Sequence, residues 1–400
     1  MSKSISHRPA MVFSGAGHFY MHFCCAMFFT IVLALEVEWD TPFYELNELW
    51  TLGAALVGLA ALPAGRLGDK WSARGMMAIF FIGLGLSVIA CGFISEPSLL
   101  IIALAAVGLF SAIYHPIGIP WLIANSAENT GKALAINGVF GGFGPAAAAL
   151  VTGFLVDYAG WRWAFWVPGV VIFATGIAML IYIKLGLIVA TGLAKKDSPK
   201  QEKRDAVRVF SILLFTMAMS GLIYHSTQSA MPKFFMISLD DYVDGSITRA
   251  GILVSIIYGL SALAQILGGY YADKYSLKSV YVIGWFFQIA FLICVASFTG
   301  YSVFIAVLLV ASISTGILPA ENMLLYKYSP EKHKGLAFGM KFVLSFGVAP
   351  ISLLLISFIQ ERTGEFYWLF MGLAIVAVFV AIVASLLPKE NKQLSANPAE

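Results

Sequence analysis

Four of the six histidines of this 400-residue chain fall within long apolar segments. Two of them, His18 and His22, are four residues apart, so a helix places both imidazoles on one face. Histidine changes charge near physiological pH and also binds anions and metal ions. Ionisable groups are costly in an apolar environment and usually face water or a partner. We therefore predict that these residues line a proton or ligand pathway, the alternative being neutral, hydrogen-bonded packing residues: His18, His22, His115 and His225.

A metal site on the His18 and His22 pair needs a third and a fourth ligand. The sequence places no carboxylate or thiol obviously for that role. We predict no metal site and no cofactor. The ion that we expect these histidines to bind and release is the proton.

Other polar residues inside apolar segments extend the pathway. Glu321 is a proton carrier or the partner of a cation, or else a carboxylate near the end of its segment. Lys341 either holds an anion or extends its amine to the membrane surface. Tyr114 precedes His115, and Tyr224 and Gln228 flank His225 at spacings compatible with one helix face. Asn137 occupies the position in the first repeat that corresponds to Lys341 in the second.

The composition indicates a membrane protein. The chain is 60% hydrophobic and 12% charged, against about 25% charged in soluble domains. Apolar segments long enough to cross a bilayer as helices recur along the chain. The expected fold is an all-α integral membrane protein with twelve spans, near residues 11–35, 45–64, 74–94, 98–124, 132–157, 161–190, 208–235, 248–271, 278–299, 301–326, 335–359 and 366–387.

The distribution of Lys and Arg predicts the orientation. With the spans above, 20 of the 25 basic residues lie on the side that holds both termini, four lie on the opposite side, and Lys341 lies within a span. We call these the basic side and the opposite side. Because basic residues favour the cytoplasm, both termini are expected there, and the protein is expected in the bacterial inner membrane.

One short sequence occurs twice, 204 residues apart, as a polar turn between apolar segments: GRLGDKWSAR at 65–74 and GYYADKYSLK at 269–278. A second pair, GKALAIN at 131–137 and GLAFGMK at 335–341, has the same offset. Repeats of this kind are typical of transporters. We predict two six-helix bundles related by pseudo-symmetry, at 1–193 and 208–400, joined by a charged cytoplasmic linker at 194–207.

The first of these loops resembles the signature of the major facilitator superfamily, G-x-L-x-D-R/K-x-G-R/K, although Ser72 replaces a glycine. The stretch GWRWAF at 160–165 is also common there. The resemblance implies a cavity lined mainly by spans 1, 4, 7 and 10. YHPIG at 114–118 and GKALA at 131–135 are locally similar to the fosmidomycin-resistance branch of efflux proteins.

The same resemblance implies a gate on the basic side. Asp69 is expected to face the start of span 11 near Gly335, and Asp273 the start of span 5 near Gly131, where carboxylates accept hydrogen bonds from free amides. The basic residues of the two loops either share this network or only fix the topology: Lys70, Arg74, Lys274 and Lys278.

These features predict a proton-coupled secondary transporter that works by alternating access and exports a small polar or amphipathic compound. Uptake of a small organic anion by proton symport is the alternative. A sensor or assembly protein on a transporter scaffold is a third possibility, and the short tails and linker argue against it. We expect no enzymatic activity, because phosphate-binding, zinc-protease and serine-hydrolase motifs are not found. The expected partners are a small-molecule substrate and the lipid bilayer, without nucleic acid, and the transporter is expected to function as a monomer.

Overall fold

The computed structural model describes residues 8–126, 130–188, 203–329 and 334–388, and their side chains except those of 203–206 and 334–338. All regular elements in these ranges are helices. Spans 1 to 6 comprise Arg8–Glu38; Phe43–Asn47, Glu48–Trp50, Thr51–Leu59 and Ala61–Lys70; Ala73–Cys91; Pro97–Ser111 and Tyr114–Asn125; Thr130–Ala159; and Trp161–Lys184. Spans 7 to 12 comprise Lys203–Ser238; Ile247–Lys274; Leu277–Ser297; Tyr301–Gly316 and Leu318–Tyr328; Lys334–Gly347 and Ala349–Thr363; and Tyr367–Ser385. A short helix, Asp240–Val243, joins spans 7 and 8.

The all-α membrane architecture is confirmed. Eleven of these segments in the described ranges are each long and apolar enough to cross a bilayer, and span 2 becomes the twelfth if its two helices, which meet at 40°, are counted together. A bent helix can still cross a membrane, because a break at membrane depth is tolerated where protein or a cavity covers it.

The prediction that the repeated sequence forms a turn was wrong for most of its length. Residues 65–70 continue the helix of span 2, and residues 269–274 continue the helix of span 8. Only the next two residues leave the helix, and Ser72 and Ser276 then cap spans 3 and 9 by accepting the amides of Gly75 and Ser279. Polar residues at a membrane surface do not interrupt a helix whose backbone is already hydrogen-bonded.

The predicted linker overlaps the start of span 7, because the helix begins at Lys203. Residues 189–202, which hold most of that linker, lie outside the described residues. The division into bundles at 1–193 and 208–400 stays a prediction.

Spans 4 and 10 are each interrupted inside the membrane, which positions the candidate site. Span 4 breaks between Ser111 and Tyr114, and span 10 breaks at Ile317. Pro116 and Pro319 lie in the first turn after each break, where proline is tolerated because that turn has no amide partner. Residues directly after these breaks therefore start a new helix at membrane depth, beside the interface between the two halves.

Candidate functional site

A cavity of about 340 Å³ lies between the two halves of the chain. Its walls come from spans 1, 2, 4 and 5 on one side and spans 7, 8, 10 and 11 on the other. Eight of the ten residues predicted for the pathway line this cavity: His18, His22, His115, Tyr224, His225, Gln228, Glu321 and Lys341. The other two, Tyr114 and Asn137, are buried behind it.

Three of the histidines form a cluster at one end of the cavity, which we call the histidine cluster: His18, His22 and His115. One ring nitrogen from each lies within 4.8 Å of the others. The His18 ring centroid is 5.0 Å from that of His22 and 5.4 Å from that of His115. His115 is 9% exposed, and neither of its ring nitrogens has a hydrogen-bond partner among the described residues. The cluster therefore presents unpaired nitrogen atoms in a confined space.

Hydrogen bonds fix the His18 ring from behind. Its Nδ1 lies 2.8 Å from the carbonyl oxygen of Asn137, and its ring stacks on Tyr114 at 5.0 Å. The Tyr114 hydroxyl donates to the Ser14 carbonyl oxygen at 2.9 Å and accepts from Asn137 Nδ2 at 2.8 Å. Because Nδ1 is engaged, Nε2 is the ring nitrogen that remains for a ligand. Tyr114 and Asn137 thus support the site without lining it.

Glycines make room for these rings where the helices cross. A Cβ atom added at Gly141 would lie 2.6 Å from His18 Nε2, and one added at Gly17 would lie 2.9 Å from the Tyr114 ring. No real Cβ makes such contacts without displacing its neighbour. Gly141 of span 5 therefore defines the position of His18, and Gly17 of span 1 that of Tyr114.

Aromatic rings from span 11 cover the histidine cluster. The Phe342 ring stacks on His115 at 4.4 Å, and the Phe346 ring lies 5.4 Å from His115 and 6.3 Å from His22. Phe346 also lies 5.5 Å from His225, on span 7. Phe346 therefore contacts both the cluster and His225, which lies outside the group of three, so the four histidines predicted as one set divide into a group of three and a single residue.

His225 stands with Tyr224 and Gln228 on the other wall. The Tyr224 and His225 rings are 5.3 Å apart, and Gln228 Nε2 donates to the Tyr224 hydroxyl at 3.1 Å. Gln228 is buried. This wall offers neutral hydrogen-bonding groups to a ligand.

Glu321 and Lys341 form a buried ion pair in the cavity wall. Lys341 Nζ lies 2.8 Å from Glu321 Oε1, and the side chains are 9% and 2% exposed. The Tyr281 hydroxyl donates to Glu321 Oε2 at 3.0 Å, and Lys341 Nζ donates to Asn322 Oδ1 at 2.6 Å. Of the interpretations open for Lys341, extension to the membrane surface does not apply in this structure. Each charge is compensated by the other and by a hydrogen bond, as burial requires.

The gate expected on the basic side is not formed between Asp273 and Gly131. Asp273 is exposed, and a Cβ added at Gly131 would have no atom within 4 Å. Asp69 is also exposed, and the surroundings of Gly335 lie outside the part described. The neighbouring basic residues make contacts within their own halves: Arg74 donates to the Ile188 carbonyl oxygen, Lys278 to that of Ser385, and Lys274 to the Tyr270 hydroxyl, while Lys70 is exposed.

Instead, the two halves are bonded on the opposite side. Asp157, at the end of span 5, accepts from the Ser246 hydroxyl at 2.7 Å and from the Thr248 amide at 2.8 Å. Glu36 of span 1 pairs with Lys233 of span 7 at 2.6 Å. We call these contacts the opposite-side latch. The halves therefore meet on the opposite side, whereas among the described residues the expected contact of Asp273 on the basic side is not seen.

Sequence reasoning missed Asp157, Glu36 and Lys233 as functional residues. A signal was available for Asp157, since a carboxylate that ends one span can cap a helix that starts elsewhere, as proposed for Asp69 and Asp273. Its partner on span 8 has no fixed spacing from it in sequence, so only the tertiary structure identifies the pair.

Comparisons with known proteins agree with this architecture. The YfnC protein of Bacillus subtilis (strain 168), an uncharacterized MFS-type transporter, is 25% identical over 342 residues, which cover 83% of this chain and 77% of YfnC. The puromycin resistance protein pur8 of Streptomyces alboniger is 30% identical over 137 residues, covering 33% of this chain. That match spans 27% of the Streptomyces protein, so the chain covers about a quarter of this relative's length.

Solved structures share the fold. A bacterial homologue of the human lysosomal transporter Spinster, in an inward-facing and occupied conformation, superposes with a TM-score of 0.73 at 14% identity, covering 96% of each chain. A mutant of the nucleoside transporter NupG gives 0.73 at 15% identity, covering 95% of this chain and all of that one. Residues 11–241 and 213–400 match the family model described as Major Facilitator Superfamily. The predicted family is confirmed: this chain belongs to the major facilitator superfamily and is a multi-pass membrane protein.

Proposed function

We propose that this chain is a proton-coupled secondary transporter that exports a small polar or amphipathic compound by alternating access. The observation that carries the proposal is the Glu321 and Lys341 ion pair, which is buried in the wall of the central cavity. An ionisable residue within a membrane span is costly unless it is paired, and such residues mark ion pathways.

The ion pair offers a route to proton coupling. Protonation of Glu321 removes its negative charge and releases Lys341 to attract another anion. The groups that face Glu321 are Lys341 from span 11 and the Tyr281 hydroxyl from span 9. All three groups belong to the C-terminal half, and the ion pair lines the cavity, whose accessibility to each side of the membrane changes as the two halves move. Proton uptake and conformation are then linked.

The opposite-side latch supports alternating access. Its bonds join the two halves where they meet, and they must break for the cavity to open on that side. We further propose that the basic side faces the cytoplasm of a bacterial inner membrane, because 20 of the 25 basic residues are assigned to that side. The cavity is then in its inward-accessible form.

The names of the relatives favour export. One is a puromycin resistance protein, and another is a tetracenomycin C resistance and export protein of Streptomyces glaucescens. The local resemblance to fosmidomycin-resistance proteins points the same way and stays a prediction. Function as a monomer, the lack of an enzymatic activity and the independence from cofactors and nucleic acid also stay predictions.

Uptake of an organic anion by proton symport is the second candidate. Lys341 and the histidine cluster give the cavity groups that bind anions. A probable hexose phosphate transport protein of Chlamydia muridarum, 23% identical over 294 residues, is among the relatives. A sensor on a transporter scaffold is the candidate of another class, and it predicts no substrate-dependent proton movement.

Proton movement in proteoliposomes that contain an internal pH dye separates these functions. Phosphonates, organic acids and drug-like compounds are added outside. Alkalinisation of the interior indicates exchange against protons and supports export, whereas acidification indicates symport. Silence across the panel favours the sensor.

The Glu321→Gln variant tests the coupling residue. We expect it to lose the pH signal while still exchanging labelled for unlabelled substrate. Glu361→Gln is the matched control, because Glu361 is an exposed carboxylate of span 11. A wild-type pH signal in Glu321→Gln would refute the assignment of proton binding to Glu321.

A further inference from the structure

The histidine cluster has the ligand number of a transition-metal site, with its three imidazoles close together. Its three imidazoles come from spans 1 and 4, and their nearest ring nitrogens lie within 4.8 Å of one another. Tetrahedral coordination at a metal–nitrogen distance of 2.0–2.1 Å places ligand nitrogens about 3.3 Å apart. For an ion to be coordinated, the ring nitrogens must therefore approach one another by up to about 1.5 Å, which requires rotation about the side-chain torsions.

The surroundings favour a metal ion over a simple packing role. His115 is more than nine-tenths buried, and both of its ring nitrogens are unpaired among the described residues. His18 has its Nδ1 held by the Asn137 carbonyl oxygen, so Nε2 is the ring nitrogen left for a metal ion. A hydrogen bond from the distal nitrogen of a histidine to a carbonyl is the usual second interaction of a metal-binding imidazole.

The lining restricts the class of ion. Three neutral imidazoles suit zinc, copper, nickel and other late first-row ions, whereas magnesium and calcium prefer oxygen ligands. Three protein ligands leave one tetrahedral position open, as in catalytic zinc sites. Because all three histidines line the cavity, that position faces the space through which a transported compound passes.

We propose, in place of the sequence-based prediction of no metal site, that the histidine cluster binds a late first-row transition metal ion, and that a donor atom of the transported compound completes its coordination. The substrate class is then a metal-chelating anion or its metal complex. This inference rests on the proposed function only for the statement that a compound passes through the cavity, since metal binding by the protein stands or fails by itself.

The test is equilibrium binding of Zn²⁺ to the purified full chain in lipid nanodiscs, without a polyhistidine tag, by competition with a chromogenic chelator. We expect one equivalent per chain, and with Co²⁺ the intense visible absorption of a four-coordinate ion. His115→Gln should weaken Zn²⁺ binding by about 100-fold or more, because loss of an outer-shell partner alone costs 10–100-fold.

Three further variants keep the test decisive if one protein fails to fold. His22→Gln removes a second ligand, and Gly141→Ala keeps all ligands but displaces the His18 ring, so both should also weaken Zn²⁺ binding. Gly259→Ala in span 8 is the matched control for Gly141→Ala, since a Cβ atom there would meet no atom within 4 Å, and it should bind Zn²⁺ as wild type does.

The outcomes are distinct from those of the transport assay. Absence of saturable Zn²⁺ binding, or equal affinity in wild type and in the folded cluster variants, overturns the metal site. A protein that moves protons with substrate but binds no metal contradicts the metal site and leaves the proposed function standing. A protein that binds one Zn²⁺ but moves no protons keeps the site and refutes the proposed coupling.

Discussion

Removal of the Asp157 carboxylate should open the transporter on the opposite side. Asp157 belongs to the N-terminal half, yet it accepts hydrogen bonds from the amides of Ile247 and Thr248 and from the Ser246 hydroxyl at the start of span 8. These bonds exist only while the two halves are closed on that side. Asp157→Ala therefore destabilises the conformation seen here relative to the one that opens there.

The size of the shift follows from the position of the carboxylate. An exposed negative charge at a helix N-terminus is worth about 0.3–1 kcal/mol, and loss of a capping hydrogen bond costs about 0.5–2 kcal/mol. Asp157 is exposed, so the lower part of the combined range applies. A change of about 1–2 kcal/mol shifts the ratio of the two conformations by about 5- to 30-fold.

Spin-label distance measurements report that ratio directly. One label replaces Val37 of span 1 and the other Ile237 of span 7, which are 83% and 54% exposed, in a chain freed of its four cysteines. Asp157→Ala should increase the population with the longer distance. Asp241→Ala removes an exposed carboxylate on the same side, without a bond between the halves, and should leave the populations unchanged. An equal effect of both substitutions would show that overall charge, not the latch, sets the equilibrium.

Three other predictions concern packing and burial. Lys341→Met leaves the Glu321 charge unpaired and should cost about 3–5 kcal/mol, seen as a lower unfolding temperature in size-exclusion measurements, whereas the double variant with Glu321→Gln should regain most of it. Gly251→Ala in span 8 introduces a methyl group against the backbone of span 5 and should lower the free energy of unfolding by about 1–3 kcal/mol. Gly259→Ala, also in span 8, meets no atom within 4 Å and should not destabilise the protein. Tyr114→Phe removes a buried hydroxyl from its hydrogen bonds and should lower stability by about 1–3 kcal/mol, and an unchanged unfolding temperature would contradict the network.

The spans could be predicted from sequence because hydropathy is a local property. Each apolar run is long enough to cross a bilayer, whatever the rest of the chain does. The repeat at 65–74 misled, because glycine and charged residues are typical of turns but are also tolerated at an exposed helix end. Both possibilities have the same composition, and hydrogen bonding along the backbone decides between them.

The candidate site was predictable in its members and not in their grouping. The four-residue spacing of His18 and His22 requires a shared helix face. That His115 joins them, and that His225 does not, depends on how spans 1, 4, 7 and 11 pack. Likewise, the sequence leaves two roles open for Glu321 and two for Lys341. Only the 2.8 Å separation of Lys341 Nζ and Glu321 Oε1 shows that each is the partner of the other.

The position of Phe346 has a consequence for thermodynamic linkage. This ring belongs to the C-terminal half, and it contacts His22 and His115 of the N-terminal half as well as His225 of its own. Any species that binds the histidine cluster must therefore interact with, or displace, a residue that moves with the other half. By reciprocity, the movement of span 11 changes the affinity of the cluster by the same factor by which an occupied cluster biases that movement. A single hydrocarbon ring, with no charge and no hydrogen bond, can thus couple occupancy of the binding site to the orientation of the two halves.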